Sequence, residues 1–313
     1  YRPNLNSHTR YTAQKRHKGF VGYNPDYMDG GFYPDYNYDF ELNNEILLNY
    51  DKRLSSLWSI SALAGANNRN NNWRNMSLSA SALSIPGVYN IGNSKVPITG
   101  TNDTYKKLVN SFYGSATIGY HDALYLTLTG RNDWSSGMPV KKNSYFYPSV
   151  SFSGVVSELV KMPSFISFAK ARAAWIRVGG DMSPYSSRPT YSYGTRWGAT
   201  PTLSLGGTLY PQDIEPDFKN TIEFGTDIRL LKNRIGFDIS YFEDTYTNQI
   251  TQASISSSSG YTSRLINSDK KTRTKGWEIT MNSTPVKTEN FSWDLALNWS
   301  RTRDWLIQAE SGK

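Results

Sequence analysis

The chain has 313 residues, 34 Lys and Arg against 26 Asp and Glu for a net charge of +8, and no cysteine. A disulfide scaffold and a thiolate metal centre are excluded, and three histidines leave little material for an imidazole-ligated metal or a histidine-based active site. Aromatic residues reach 14% within a hydrophobic total of only 38%, and the charged fraction of 19% falls below the roughly 25% of an ordinary soluble domain. No stretch approaches the ~18 consecutive apolar residues of a spanning helix. A transmembrane β-barrel escapes that test, because only its alternate residues must be apolar. With no start Met and no signal-peptide pattern at its beginning, the sequence reads as an internal piece of something longer.

The stretch 24–36 is acidic and aromatic, but Asp26, Asp29 and Asp35 lack EF-hand spacing. His8, His17 and His121 lack ligand spacing, so no metal is expected, and His121 reads as a turn residue. From Phe40 apolar residues alternate, as in a half-buried strand: Phe40, Leu42, Ile46, Leu48 and Tyr50, broken at Asn44. A short turn at 51–56 leads to Trp58, Ile60, Ala62 and Ala64, after which 68–107 reads as a long loop. Phe112, Ala116, Ile118 and Tyr120 run into a turn at His121-Asp122, then Leu124, Leu126 and Leu128 resume the alternation. Beyond a shorter loop at 134–144, Phe146, Val150, Phe152 and Val156 alternate around Pro148, which cannot donate to a ladder. A connection at 157–166 precedes a strand at 167–178 that is apolar on both parities. A second long loop at 179–218 follows. Ile222, Phe224, Ile228 and Leu230 then alternate up to the turn Lys232-Asn233-Arg234, and Ile235, Phe237, Ile239 and Tyr241 alternate after it, a tight hairpin. The third long loop is 248–271, before Trp277, Ile279 and Met281. After a turn at 285–290 the alternation is clearest: Phe291, Trp293, Leu295, Leu297 and Trp299 should face lipid, with Asp294 and Asn298 on the inner side.

About ten strands of roughly 11–13 residues result, each long enough at ~40° tilt to cross an outer membrane. Short turns alternate with long loops, the periplasmic and extracellular asymmetry of such barrels. Trp58 and Trp293 fall at the short-turn side and Trp134, Trp277 and Trp305 at the long-loop side, as two interfacial girdles would. The loops are rich in Asn, Ser, Gly and Tyr, and Trp73, Tyr191, Tyr193 and Trp197 are the best-placed faces for stacking a polar substrate. No Gly-x-Ser-x-Gly, phosphate-binding glycine loop or His-Glu-x-x-His motif is present, so no catalytic residue and no cofactor are expected. Lys and Arg are spread along the chain apart from 15–18 and 270–273, which argues for lumen and loop charge facing polar solutes or lipopolysaccharide, and against nucleic acid.

Several stretches form an ordered series of short motifs. The strongest is Gly130-Arg131-Asn132-Asp133-Trp134-Ser135-Ser136 followed by 143–151, Asn-Ser-Tyr-Phe-Tyr-Pro-Ser-Val-Ser. Next come 170–181, ending Gly179-Gly180-Asp181, and Glu223-Phe224-Gly225-Thr226-Asp227 with Asn233-Arg234. The stretch 241–250, Gly260-Tyr261 and Gly276-Trp277-Glu278 complete the series. In order and spacing these motifs resemble those of the SusC/RagA family of TonB-dependent outer-membrane transporters of Bacteroidetes. The resemblance implies an all-β fold, with 1–313 a partial transmembrane antiparallel β-barrel of a larger wall of about 22 strands. It implies a plug domain and a TonB-contacting segment elsewhere. It also implies TonB–ExbB–ExbD as energy source, a SusD-like surface lipoprotein as partner, and uptake of oligosaccharides or peptides across the outer membrane. The alternative is a stand-alone porin, siderophore-type receptor or adhesin barrel without a lipoprotein.

Overall fold

A computed structural model describes residues 2–16, 29–194, 196–198 and 200–309, with side chains in the first stretch described from 8 to 15. In chain order the strands are β1 (Arg2–Arg16), β2 (Gly31–Arg53), β3 (Trp58–Ser79), β4 (Thr99–Tyr120), β5 (Leu124–Ser135), β6 (Ser144–Val155), β7 (Ile166–Gly180), β8 (Tyr191–Tyr193), β9 (Leu203–Leu205), β10 (Thr208–Leu209), β11 (Asp217–Leu230), β12 (Ile235–Thr247), β13 (Ile250–Ser254), β14 (Ser263–Asn267), β15 (Lys271–Lys287) and β16 (Ser292–Gln308). A helical turn, α1 (Val156–Leu159), joins β6 to β7. The main sheet has 11 strands in the order β1-β2-β3-β4-β5-β6-β7-β11-β12-β15-β16, so neighbours in the sheet are neighbours in the chain except where loops intervene. The loop strands form a three-stranded sheet, β10-β14-β13, and the hairpin β8-β9.

The stretches of apolar alternation lie in strands of the main sheet, except that Val156, expected to end the strand through Phe152, opens the helical turn α1, and Phe291 precedes β16. Register shows why. Ile222, Phe224 and Ile228 of β11 stand opposite Trp175, Ala173 and Ala169 of β7 on one side and Glu243, Tyr241 and Phe237 of β12 on the other. Val150 and Phe152 of β6 meet Trp175 and Ala173, and Leu128 and Leu126 of β5 meet Val150 and Phe152. Ile239, Ile279 and Trp299 align across β12, β15 and β16. One face therefore carries a continuous apolar band, and many of its members, Phe152, Phe224, Leu297 and Trp299 among them, are exposed. A soluble protein would bury such a band. The opposite face is polar. Thr280 donates to Asn298 at 3.0 Å and Thr284 to Asp294 at 2.6 Å, which puts Asp294 and Asn298 on the side expected of them. Phe291, expected at the start of this strand, belongs to the turn before it, where its amide donates to Thr288 Oγ1.

The turns follow backbone chemistry. His121 and Asp122 both have positive φ, 54° and 51°, as a tight hairpin turn demands. Pro148 stands opposite Gly130 of β5, while the β6–β7 ladder starts only at Ser149, so the proline occupies a position with a partner on one side alone. The β15–β16 turn is shorter than expected, because β15 continues through Pro285 to Lys287 across a register irregularity.

Two compact units emerge. The first takes in the chain up to Glu45 together with Asn67–Val109; the second takes in Ile46–Ala66 and the chain from Asn110 onward. The first unit holds the largest correction to the sequence reading. The expected loop 68–107 is mostly strand, since β3 runs on to Ser79 and β4 begins at Thr99. At 22 to 23 residues, β2, β3 and β4 are about twice as long as the ~9–11 residues that cross an apolar band. Apolar alternation cannot mark this extension, because polar side chains hold it. Asn67 donates to Asn43 Oδ1 at 3.2 Å, Asn71 to Glu41 at 3.3 Å, and Asn75 to Asp35 at 3.0 Å and Asn37 at 2.7 Å. Strand β1, which the sequence reading did not foresee, pairs with β2 from Arg2↔Glu45 to Arg16↔Gly31. A small core of Phe32, Ala80 and Leu83, flanked by Ala13, Tyr89 and Ile91, closes this unit. Asp29 is paired with Lys95 at 2.6 Å and Asp35 is engaged by Asn75; Asp26 and His17 lie outside the described residues.

Candidate functional site

In the second unit the motif residues meet on the polar face of β4 to β7. Asp133, 6% exposed, accepts from Arg131 Nε at 2.8 Å and from the Tyr147 hydroxyl at 2.6 Å. Arg131 also donates to Ser111 Oγ at 2.9 Å and lies 5.5 Å from the centroid of the Tyr113 ring. The backbone of Gly179 lies against the Tyr145 ring, where an added Cβ would come within 2.6 Å of it. Around Arg131 and Tyr147 opens a recess of about 300 Å³, bounded by Leu63, Tyr113, Ile176 and Val178. Ile176 and Val178 account for the apolar residues found on both parities of β7: one set faces the apolar band and the other lines this recess. The arginine here is matched by a buried carboxylate, and the walls are aromatic and aliphatic. Such a recess can hold a partly polar solute by contact and hydrogen bonding.

A second motif has the same logic. Arg172 of β7 reaches across Gly225 of β11 to bind Asp238 of β12 through two hydrogen bonds, at 3.1 and 2.8 Å, and Ser240 at 2.6 Å. Arg172 stands opposite Gly225 in the register, and a Cβ at Gly225 would collide with its guanidinium. The glycine is a passage for an arginine.

Above the strands the three loops 134–144, 179–218 and 248–271 fold on one another. Met138, Met182, Ile214 and Leu265 form a buried cluster drawn from all three, with Tyr210 and Ile250 packed on it. Ser135 Oγ donates to Asp181, Lys142 pairs with Glu215 at 2.6 Å, and Asn267 exchanges hydrogen bonds with the Glu215 backbone at 2.8 and 2.7 Å. These loops are thus built structure rather than featureless segments.

From this base projects the β8-β9 hairpin, which carries three of the four expected substrate-binding residues. Tyr191 and Tyr193 lie on one face of it, opposite Leu205 and Leu203 respectively, and Trp197 bridges to Thr200 beyond. Tyr193 is 86% exposed and Trp197 84%. Trp73 differs from its expected setting: it belongs to strand β3 in the other unit, stacked on Tyr105 at 4.9 Å and 25°. The recess at Arg131, Tyr113 and Tyr147 was not foreseen as a site. Its signal was present in the motif, but nothing in sequence spacing shows that residues 111, 131, 133 and 147 converge.

The family model described as TonB dependent receptor-like, beta-barrel matches residues 1–311. TonB-dependent receptor P26 of Formosa agariphila is 26% identical over 274 residues, covering 85% of this chain and 28% of that protein. Receptor P39 of the same organism is 23% identical over 281 residues, covering 87% and 26%. The chain thus spans about a quarter of the length of these relatives. Among solved structures, the RagAB peptide transporter superposes with a TM-score of 0.79 at 14% identity, over 97% of this chain and 34% of that one. The ferric enterobactin receptor PfeA gives 0.54 at 15% identity, over 96% and 41%. With the family model matched along nearly its whole length and a sheet of the corresponding fold, this chain belongs to the TonB-dependent receptor-like β-barrel family.

Proposed function

We propose that the receptor to which this chain belongs is a SusC-like importer that takes up oligosaccharides or peptides. In this reading it works with a SusD-like surface lipoprotein and draws energy from TonB–ExbB–ExbD through another part of the receptor. The observation that carries the reading is the ordered series of SusC/RagA-like motifs from Gly130 to Glu278. The fold agrees, being nearer to the RagAB peptide transporter than to the enterobactin receptor, with TM-scores of 0.79 and 0.54. Tyr191, Tyr193 and Trp197 would then give a substrate stacking faces at the loop end, with Trp73 a further face. The recess at Arg131 would be a station along the inner wall. Selectivity would come from stacking and hydrogen bonding, with no bond made or broken.

The test is purification of the full-length receptor from its native outer membrane, followed by calorimetry with defined oligosaccharide and peptide pools. A co-purifying surface lipoprotein and saturable binding of one pool, weakened at least tenfold by Tyr191→Ala, Tyr193→Ala and Trp197→Ala together, is the expected result. Isolation without a lipoprotein, with binding of ferric chelates only, would establish the siderophore-type alternative instead.

A further inference from the structure

The apolar face meets lipid, since the chain is part of an outer-membrane β-barrel. At its long-loop end that face changes character across three adjacent strands. In register, Tyr241 of β12, Trp277 of β15 and Arg301 of β16 form one row, and Glu243, Lys275 and Arg303 the next. Arg273 stands beside Trp305 in the row above. All have the parity of Leu297 and Trp299, so they point to the membrane side. Tyr241, Lys275, Trp277, Arg301, Arg303 and Trp305 line a cleft of about 330 Å³.

Its chemistry is specific. Tyr241 and Trp277 pack at 4.9 Å, and Lys275 Nζ lies 6.0 Å from the centroid of the Trp305 ring. Glu243 is shared between Arg273, at 2.7 Å, and Lys275, at 3.0 Å. Arg301 and Arg303 make no ion pair among the described residues, so four cations face one carboxylate. From the middle of the apolar run Trp293–Trp299, Arg301 and Arg303 stand roughly 13–18 Å along the membrane normal, the level of headgroups beyond a ~25 Å apolar band. The β15–β16 turn is the short one, so this end is the extracellular one.

We propose that this cleft binds the phosphorylated headgroup of an outer-leaflet glycolipid, with Arg301 and Arg303 on phosphate and Trp277 and Trp305 against the sugar and the upper acyl chains. A cation near an anionic surface contributes about a fivefold gain in binding, so R301Q/R303Q should weaken binding about 30-fold. The experiment is native mass spectrometry of the full-length receptor titrated with diphosphorylated lipid A, with dephosphorylated lipid A, and with inorganic phosphate as competitor. The expected result is retention of the phosphorylated lipid, its loss in R301Q/R303Q, its recovery within a few-fold in R301K/R303K, and weak binding of the dephosphorylated lipid. Millimolar phosphate should leave the lipid in place. K161Q/K232Q, which removes equal charge from the short-turn end, should bind as the parent does. Heat-modifiable migration on gels should be unchanged in every variant. Equal binding by R301Q/R303Q, an equal loss in K161Q/K232Q, or equal retention of dephosphorylated lipid would overturn the proposal. Full displacement by inorganic phosphate would overturn it too, by making the cleft a free-anion site.

Discussion

Replacing Asp133 by alanine removes the acceptor on which two motif residues converge. The Tyr147 hydroxyl donates to its carboxylate at 2.6 Å, and a hydrogen bond to a charged group contributes about 1.5–3 kcal/mol. The Arg131 contact at 2.8 Å has one buried partner and one 39% exposed, so its share is nearer the ~1 kcal/mol of solvent-screened pairs than the ~3–5 kcal/mol of a fully buried one. Asp133→Ala should therefore destabilise by about 3 kcal/mol. Asp133→Asn, which keeps a neutral acceptor for Tyr147, should lose about half as much. The assay is denaturant unfolding of the full-length receptor in detergent, with Tyr147→Phe completing a double-mutant cycle whose coupling should reach about 1.5 kcal/mol. An Asp133→Ala receptor within ~0.5 kcal/mol of the parent, or a coupling near zero, would refute the view that this motif is a structural network.

Other outcomes follow from the same register. Leu297→Arg puts a charge on the lipid side and should cost about 2–4 kcal/mol of folding free energy in vesicles, while Asn298→Arg, one residue along on the polar side, should cost under about 1 kcal/mol. Asn75→Ala breaks two cross-strand hydrogen bonds in the first unit and should lower stability by about 1 kcal/mol, seen as faster proteolysis within β2 and β3. Gly276→Ala would drive a methyl into the ring of Phe242, its cross-strand partner. That overpacking should cost about 1–3 kcal/mol, and Phe242→Leu alongside it should recover much of the loss in thermal unfolding.

The legible part of the fold was the part that meets lipid. Alternation at 221–241 and 291–300 marks strands because one face there must be apolar. Where both faces meet water, as in the Asn-rich continuation of β3, the same backbone conformation leaves no period, and 68–79 read as loop. Strand β1 was silent for a similar reason, with polar residues on both parities. The loop aromatics Tyr191, Tyr193 and Trp197 stood out as rings in an Asn- and Ser-rich segment, but their exposure was not legible, because packing of one loop on another would bury the same residues. Trp73 was misplaced along with its strand. The recess at Arg131 draws on five strands, from Leu63 to Val178, 115 positions apart, a separation that register alone bridges.

The central claim, that the chain is outer-membrane wall with lipid on one face, is tested most directly by scanning 293–300 with single cysteines, since the chain contains none of its own. Each would carry a nitroxide in the full-length receptor reconstituted in vesicles, with collisional access measured to oxygen, which partitions into lipid, and to a water-soluble nickel chelate. Trp293, Leu295, Leu297 and Trp299 should report oxygen, and Asp294, Ala296, Asn298 and Ser300 nickel, in strict alternation. Loss of the two-residue period, or the same period with the two sets exchanged, would contradict the account.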